Sequence, residues 1–138
     1  MKTVSMICVL FIALSFMGCG KSEVDQRYPA LIKQAGTLES KDGTLLAKVE
    51  TTDAIVHITI LEKKTAKVLL KAKSGNTYHR WYLGWDKDNR LWNWNSDIGG
   101  DVFELKDGKW IRNKTPDYRE APKVFIDNLP SSVKRTLK

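Results

Sequence analysis

The chain predicts a mainly β fold, about seven strands in an antiparallel meander, closed as a barrel or stacked as a sandwich, with short N- and C-terminal helices. Three observations carry this. Apolar and polar residues alternate in runs of strand length between residues 45 and 73. Turn dipeptides recur at short intervals, with Asp42-Gly43, Ser74-Gly75-Asn76 and Asp107-Gly108 the plainest. The strand runs follow one another with short links, which favours up-and-down pairing in sequence order.

The elements follow in order. Tyr28, Leu31, Ile32 and Ala35 stand at helical spacing, Pro29 suits a first helical turn and Gly36 suits a helix end, so a short helix is expected over 28–35. Strand character begins at Thr37. After Asp42-Gly43, Leu45, Ala47 and Val49 alternate with Leu46, Lys48 and Glu50. Beyond a break at Thr51-Thr52-Asp53, Ala54, Val56, Ile58 and Ile60 line one face of a β-branched run. Ile55, His57, Thr59 and Leu61 line the other, which predicts a strand covered on both sides. Ala66, Val68, Leu70 and Ala72 alternate with Lys67, Leu69, Lys71 and Lys73, a half-buried strand with a basic outer face.

Residues 78–86 form an aromatic strand, with His79, Trp81, Leu83 and Trp85 on one face and Tyr78, Arg80 and Tyr82 on the other. Lys87-Asp88-Asn89 turns the chain into a return strand over 91–95, with Trp92 and Trp94 on one face. Val102 to Leu105 and Lys109 to Arg112 flank Asp107-Gly108, the strongest hairpin signal present. Pro116, Pro122 and Pro130 punctuate the remainder. A short helix around Val124, Phe125 and Leu129, then a turn opened by Pro130, are expected to cap an end or edge of the sheet from about 115 to 138.

The N-terminus reads differently. Lys2 precedes an apolar stretch from Val4 to Met17, and Gly18-Cys19-Gly20-Lys21 follows. The stretch fits the roughly 7–15 residues of a secretory apolar segment and is short of the roughly 20 that span a bilayer. Residues 1–21 resemble the export signal of a bacterial lipoprotein. The resemblance implies cleavage after Gly18 and acylation of Cys19, with a lipid bilayer as partner, and Gly20 after the cysteine points to the outer membrane. An unlipidated secretory signal and an uncleaved anchor are the other readings of the same stretch. The expected organisation is a signal at 1–18, a polar tether at 19–27 and one domain at 28–138.

Without residues 1–18 the chain is 120 residues long, enough for one core without covalent staples. Cys8 falls in the signal and Cys19 would carry lipid, so the domain has no cysteine for disulfides, zinc ligation or thiol chemistry. Lys2 is the signal's one charged side chain, so the remainder holds 22 Lys+Arg against 16 Asp+Glu. The charges are interspersed, the pattern of a solvated surface. The same excess suits an anionic membrane or cell-wall polymer, and nucleic acid is not expected for an exported chain.

All five tryptophans fall between residues 81 and 110. Trp81, Trp85, Trp92 and Trp94 are expected either as core or as an aromatic platform, joined by Asp97 and Asp101 around Gly99-Gly100 if the ligand is a sugar. Asp86-Lys87-Asp88-Asn89 has the first two acidic positions of a calcium loop but lacks its glycine, so a hairpin turn is expected instead. Trp85 to Trp94 resembles a β-propeller blade hairpin in style, without the repeats a propeller needs. His57 and His79 lie on separate strands, and neither has a neighbour of metal-ligand type. No nucleophile elbow, phosphate loop or zinc spacing is present. The expectation is a lipid-anchored envelope protein that binds rather than catalyses, with no cofactor or metal. An envelope protein or a glycan is the expected partner, and an accessory or inhibitory subunit of an envelope enzyme is the further alternative.

Overall fold

The structure is a computed structural model that describes residues 31–137; the expected signal, Cys19 and the polar tether lie outside them. Eight strands form two four-stranded antiparallel meanders. The first sheet is β1 (Gly36–Glu39), β2 (Leu45–Thr52), β3 (Ile55–Glu62) and β4 (Val68–Asn76). The second is β5 (Trp81–Trp85), β6 (Leu91–Asn95), β7 (Gly99–Lys106) and β8 (Lys109–Asn113). Strand order equals chain order in each, as short links dictate. The sheets remain separate, so the sandwich form of the expectation holds and no barrel closes.

The sheets share one core. Ala47, Val49, Val56, Ile58 and Ile60 face Trp81, Leu83, Trp85, Leu91 and Phe103 across it. Register places these residues on common faces: Val49 pairs with Ile58, Ala47 with Ile60, and Leu91 with Phe103. β3 corrects one expectation. Val56, Ile58 and Ile60 are buried while Ile55, His57 and Thr59 are half-buried, so β3 has one covered face. The strands covered on both faces are β5 and β6, buried at every residue.

Their second cover is the C-terminal tail. A 3₁₀ turn (Tyr118–Glu120), α1 (Lys123–Asn128) and α2 (Ser131–Arg135) lay Ala121, Phe125 and Leu129 on Tyr82, Trp92, Trp94 and Val102. The tail therefore covers a sheet face, where capping of an end or edge was expected. Pro122 and Pro130 sit at the N-caps of α1 and α2, where a missing N–H costs nothing. Gly100 lets the layer approach, because a Cβ there would meet the Tyr118 hydroxyl at 2.0 Å. Phe125 is the key side chain, 5.0 Å edge-on from Tyr82 and 5.8 Å from Trp92 between ring centroids.

The expected N-terminal helix is corrected over its described part. Residues 31–35 are not helical, and Ile32 forms an antiparallel bridge to Leu83 with both N–H···O distances at 3.0 Å. Leu31 packs under the helical layer and Ile32 into the sandwich core. Two neighbours with opposite apolar surfaces to fill take the two-residue period of a strand. Among the described residues no helix is long and apolar enough to cross a membrane.

Candidate functional site

The four tryptophans expected as a platform are core instead, with Trp81 7%, Trp85 4%, Trp92 1% and Trp94 4% exposed. Trp81 and Trp85 fill the sandwich, and the Trp85 Nε1–H donates to the Leu38 carbonyl at 2.9 Å. Trp92 and Trp94 lie under the helices, where Trp94 stacks 5.5 Å from Tyr82 with the Arg80 guanidinium over it. Burial of both strand faces overturns the platform reading, since stacking needs an open ring face.

Asp97 and Asp101 do not share a site. Asp97 is exposed in the β6–β7 turn, 3.9 Å from His79 Nε2. Asp101 is buried on the inner face of β7, where Oδ1 accepts from Asn93 Nδ2 at 2.9 Å and Oδ2 pairs with Arg112. Asn93 Oδ1 accepts from Ser74 of the opposite sheet at 2.7 Å, and Arg112 Nη1 donates to the Lys73 carbonyl at 2.9 Å. Asn95 donates to the Ser74 carbonyl at 3.2 Å, and Gly75 makes room, since a Cβ there would lie 2.5 Å from Asn95 Nδ2. Burial pushes the Asp101 carboxyl above its ordinary range, outweighing the Asn93 and Arg112 hydrogen bonds. Every polar atom of this cluster faces another, which makes it a clamp between the sheets.

The β5–β6 turn behaves as its sequence predicts. Asp86 is buried, and its Oδ1 accepts the Asp88 and Arg90 backbone N–H groups, both at 2.9 Å. Oδ2 takes Arg90 Nε at 2.7 Å and Trp92 Nε1 at 2.8 Å. A carboxylate so occupied closes a hairpin and has no room for a metal. Among the described residues no group of three or more His, Cys, Asp or Glu is placed to hold one.

An open cleft of about 640 Å³ lies at this same end of the sandwich. Leu45 and Leu69 of the first sheet and Leu105 and Trp110 of the second wall it. Asp88, Asn89, Arg90 and Glu104 supply polar lining. The size is that of a small-ligand or side-chain site. Trp110 stands edge-on to Trp85 at 6.4 Å, so the core fixes its orientation. It is half-buried, and the other four tryptophans are buried. Leu105 is 62% exposed, and Val68, next to Leu69 in the chain, is 48% exposed. A second cleft of about 550 Å³ lies between the β5–β6 turn and α1, with Asp86, Pro122 and Val124 in its wall. The Asp86 carboxylate there is already fully engaged.

Asn89 holds the lip of the first cleft. It adopts a left-handed backbone (φ 58°), and Nδ2 donates to Asp42 Oδ2 at 2.6 Å, tying the β5–β6 turn to the β1–β2 turn. Asp42 also accepts from Ser40 Oγ at 2.8 Å, Thr44 N–H at 2.9 Å and Thr44 Oγ1 at 2.7 Å. Led by the Thr44 backbone bond, these hold the Asp42 carboxyl well below the usual carboxylate range. A depressed folded value stabilises the fold above the ordinary value, near 3.9, and that share is lost as pH falls. Asp42→Asn should therefore lower Tm clearly more at pH 7 than at pH 2, because the charged form is only partly lost there. Melting curves across this range check it, and an equal loss at both pH values would refute the charge argument.

Sequence reasoning missed the cleft as a site, although its four apolar walls lie on predicted strands. Its four apolar walls come from β2, β4, β7 and β8, and no local pattern joins them. The one available signal was Leu105 and Trp110 flanking the Asp107-Gly108 turn, two large apolar residues beside a tight hairpin. The chain matches no protein-family model, no curated protein and no solved structure.

Proposed function

We propose that this is a lipid-anchored protein of the bacterial cell envelope whose β domain binds a partner and carries out no reaction of its own. The cleft walled by Leu45, Leu69, Leu105 and Trp110 is its contact surface. One observation carries the binding half: three half-buried apolar side chains and the exposed Leu105 converge on a cleft oriented by the core, and surfaces of this kind mark interaction sites. The anchoring half rests on residues 1–21, with Cys19 as the acylated residue. Burial of Trp81, Trp85, Trp92 and Trp94 removes the aromatic platform expected from the sequence and leaves Trp110 as the one indole at the cleft.

The anchor is tested by the intact mass and membrane fractionation of the native protein beside Cys19→Ser. A chain beginning at Cys19 with acyl groups added, and release of the variant from membranes, is the expected result. Two acyl chains or more hold a protein firmly where one does so only marginally. An unmodified mass, or unchanged fractionation of the variant, removes the anchor.

A further inference from the structure

The outer face of the first sheet carries an aliphatic row where the open face of an antiparallel sheet is ordinarily polar. By register Leu46 of β2 lies beside Leu61 of β3, and Leu61 beside Val68 of β4, so the row crosses three adjacent strands. Strand alternation sets these side chains opposite to Ala47 and Ile60 of the core, and they belong to neither apolar core of the described residues. Leu46 and Leu61 are half-buried and Val68 is exposed. Two residues along each strand the same face turns polar. Lys48, Thr59 and Lys71 form the next row, and Glu50, His57 and Lys73 the one after. Both carboxylates on the strands of this face are paired, Glu50 with Lys48 at 2.8 Å and Glu39 with Lys63 at 2.7 Å. Lys71 and Lys73 are exposed, and their side chains make no hydrogen bond or ion pair among the described residues. The uncompensated charge of the face is therefore positive, and it lies next to aliphatic surface.

We propose that the outer face of the first sheet rests on an anionic lipid bilayer. Leu46, Leu61 and Val68 meet the boundary between headgroups and acyl chains, and Lys71 and Lys73 meet lipid phosphates. Apolar area and cationic side chains on one face are the two features that hold a peripheral surface to anionic lipid. Charge complementarity selects this surface over a neutral one. The described chain begins at Leu31, twelve residues after Cys19, and twelve residues reach at most about 40 Å. That exceeds the roughly 10 Å between stacked sheets, so a lipid on Cys19 leaves this face within range of the bilayer. The inference rests on the anchoring half of the reading above and gives the anchored domain an orientation.

The test uses the native chain, extracted from its membranes and mixed with vesicles of phosphatidylcholine alone or of phosphatidylcholine with phosphatidylglycerol. Acetic anhydride labels the lysines, and peptide mass spectrometry reads the rate at each. Lys71 and Lys73 should be labelled several-fold more slowly on the anionic vesicles than on the neutral ones. Lys106 and Lys109, exposed at the β7–β8 turn of the other sheet, should be labelled alike on both. Raised salt should weaken the protection of Lys71 and Lys73. Val68→Glu should weaken it as well, and because Val68 is exposed, an unchanged Tm shows that this variant still folds. Equal rates on the two vesicles overturn the proposal, and so does equal slowing of all four lysines. Protection that persists in detergent micelles gives the face to another part of the chain and overturns it too. Protection in the source membranes that vanishes on protein-free anionic vesicles gives the face to an acidic protein instead. The mass of Cys19 on the same sample separates the two ideas. Acylated protein with unprotected lysines removes this inference alone, and protection of an unacylated chain on anionic vesicles removes the anchor alone.

Discussion

Trp92→Ala should cost about 3–5 kcal/mol of folding stability, the range for removing a large aromatic side chain from a core. Trp92 is 1% exposed between the second sheet and the helical layer, with its ring 5.8 Å from that of Phe125. Its Nε1–H also fills one place on Asp86 Oδ2, so the substitution opens a cavity and strips a buried carboxylate of a donor. The C-terminal tail has its main apolar contact here, so its hydrogen-exchange protection should fall with the global stability. Trp92→Phe separates the two losses. It keeps most of the ring and drops the hydrogen bond, and should cost about 1–2 kcal/mol. Urea denaturation of the three chains measures this. A Trp92→Ala chain with native stability and altered ligand binding would restore this residue to a binding platform.

Asp101→Ala should cost about 3 kcal/mol, the lower part of the range for removing one member of a buried ion pair. The loss is greater than one contact, because Asp101 organises a cluster shared by four strands. Without it the Arg112 guanidinium loses its carboxylate and Asn93 Nδ2 loses its acceptor in a fully buried position. Arg112 then holds the Lys73 carbonyl of the opposite sheet without its brace. Asp101→Asn keeps an acceptor and should cost clearly less. Burial already pushes the Asp101 carboxyl upward, so proton binding favours the folded form and this group's share of stability falls as pH rises through the acid range. Asp42 has the opposite sign. The deficit of Asp101→Asn relative to the parent chain should therefore be larger at acid pH than at pH 7. Equal destabilisation by Ala and Asn would show that the network matters through its shape alone.

Much of the fold was legible in local chemistry. The alternation of Ala47 and Val49 with Lys48 and Glu50 named the buried face of β2, and register with Val56, Ile58 and Ile60 bears it out. Asp107-Gly108 forms the tight β7–β8 turn, with both residues left-handed at φ 50° and 74°. Asp86-Lys87-Asp88-Asn89 forms the β5–β6 turn for the reason its composition gave: a short carboxylate bonds the backbone two and four residues ahead. The N-terminal helix failed because Leu31 and Ile32 carry the same apolar signal under either period. Only the presence of Leu83 on one side and the helical layer on the other makes the strand period the better match.

The site was less legible. Trp81, Trp85, Trp92 and Trp94 drew notice because large aromatics serve cores and interfaces equally well, and composition does not separate the two. Asp97 and Asp101 are near neighbours in the chain, yet one is in solvent and the other is inside, since a β-strand and its turn point successive side chains in different directions.

The sequence by itself determined most of the strands, their turns, their antiparallel order and the inward face of β2. These depend on residues within one hairpin of each other, and a two-residue period records them directly. Tertiary structure alone decided what covers the second sheet. β5 and β6 are apolar on both faces, so alternation could not say which face meets water, and the answer came from a tail about thirty residues farther along the chain. It alone decided the cleft as well, because Leu45, Leu69, Leu105 and Trp110 meet only where two sheets, each correct in itself, are stacked.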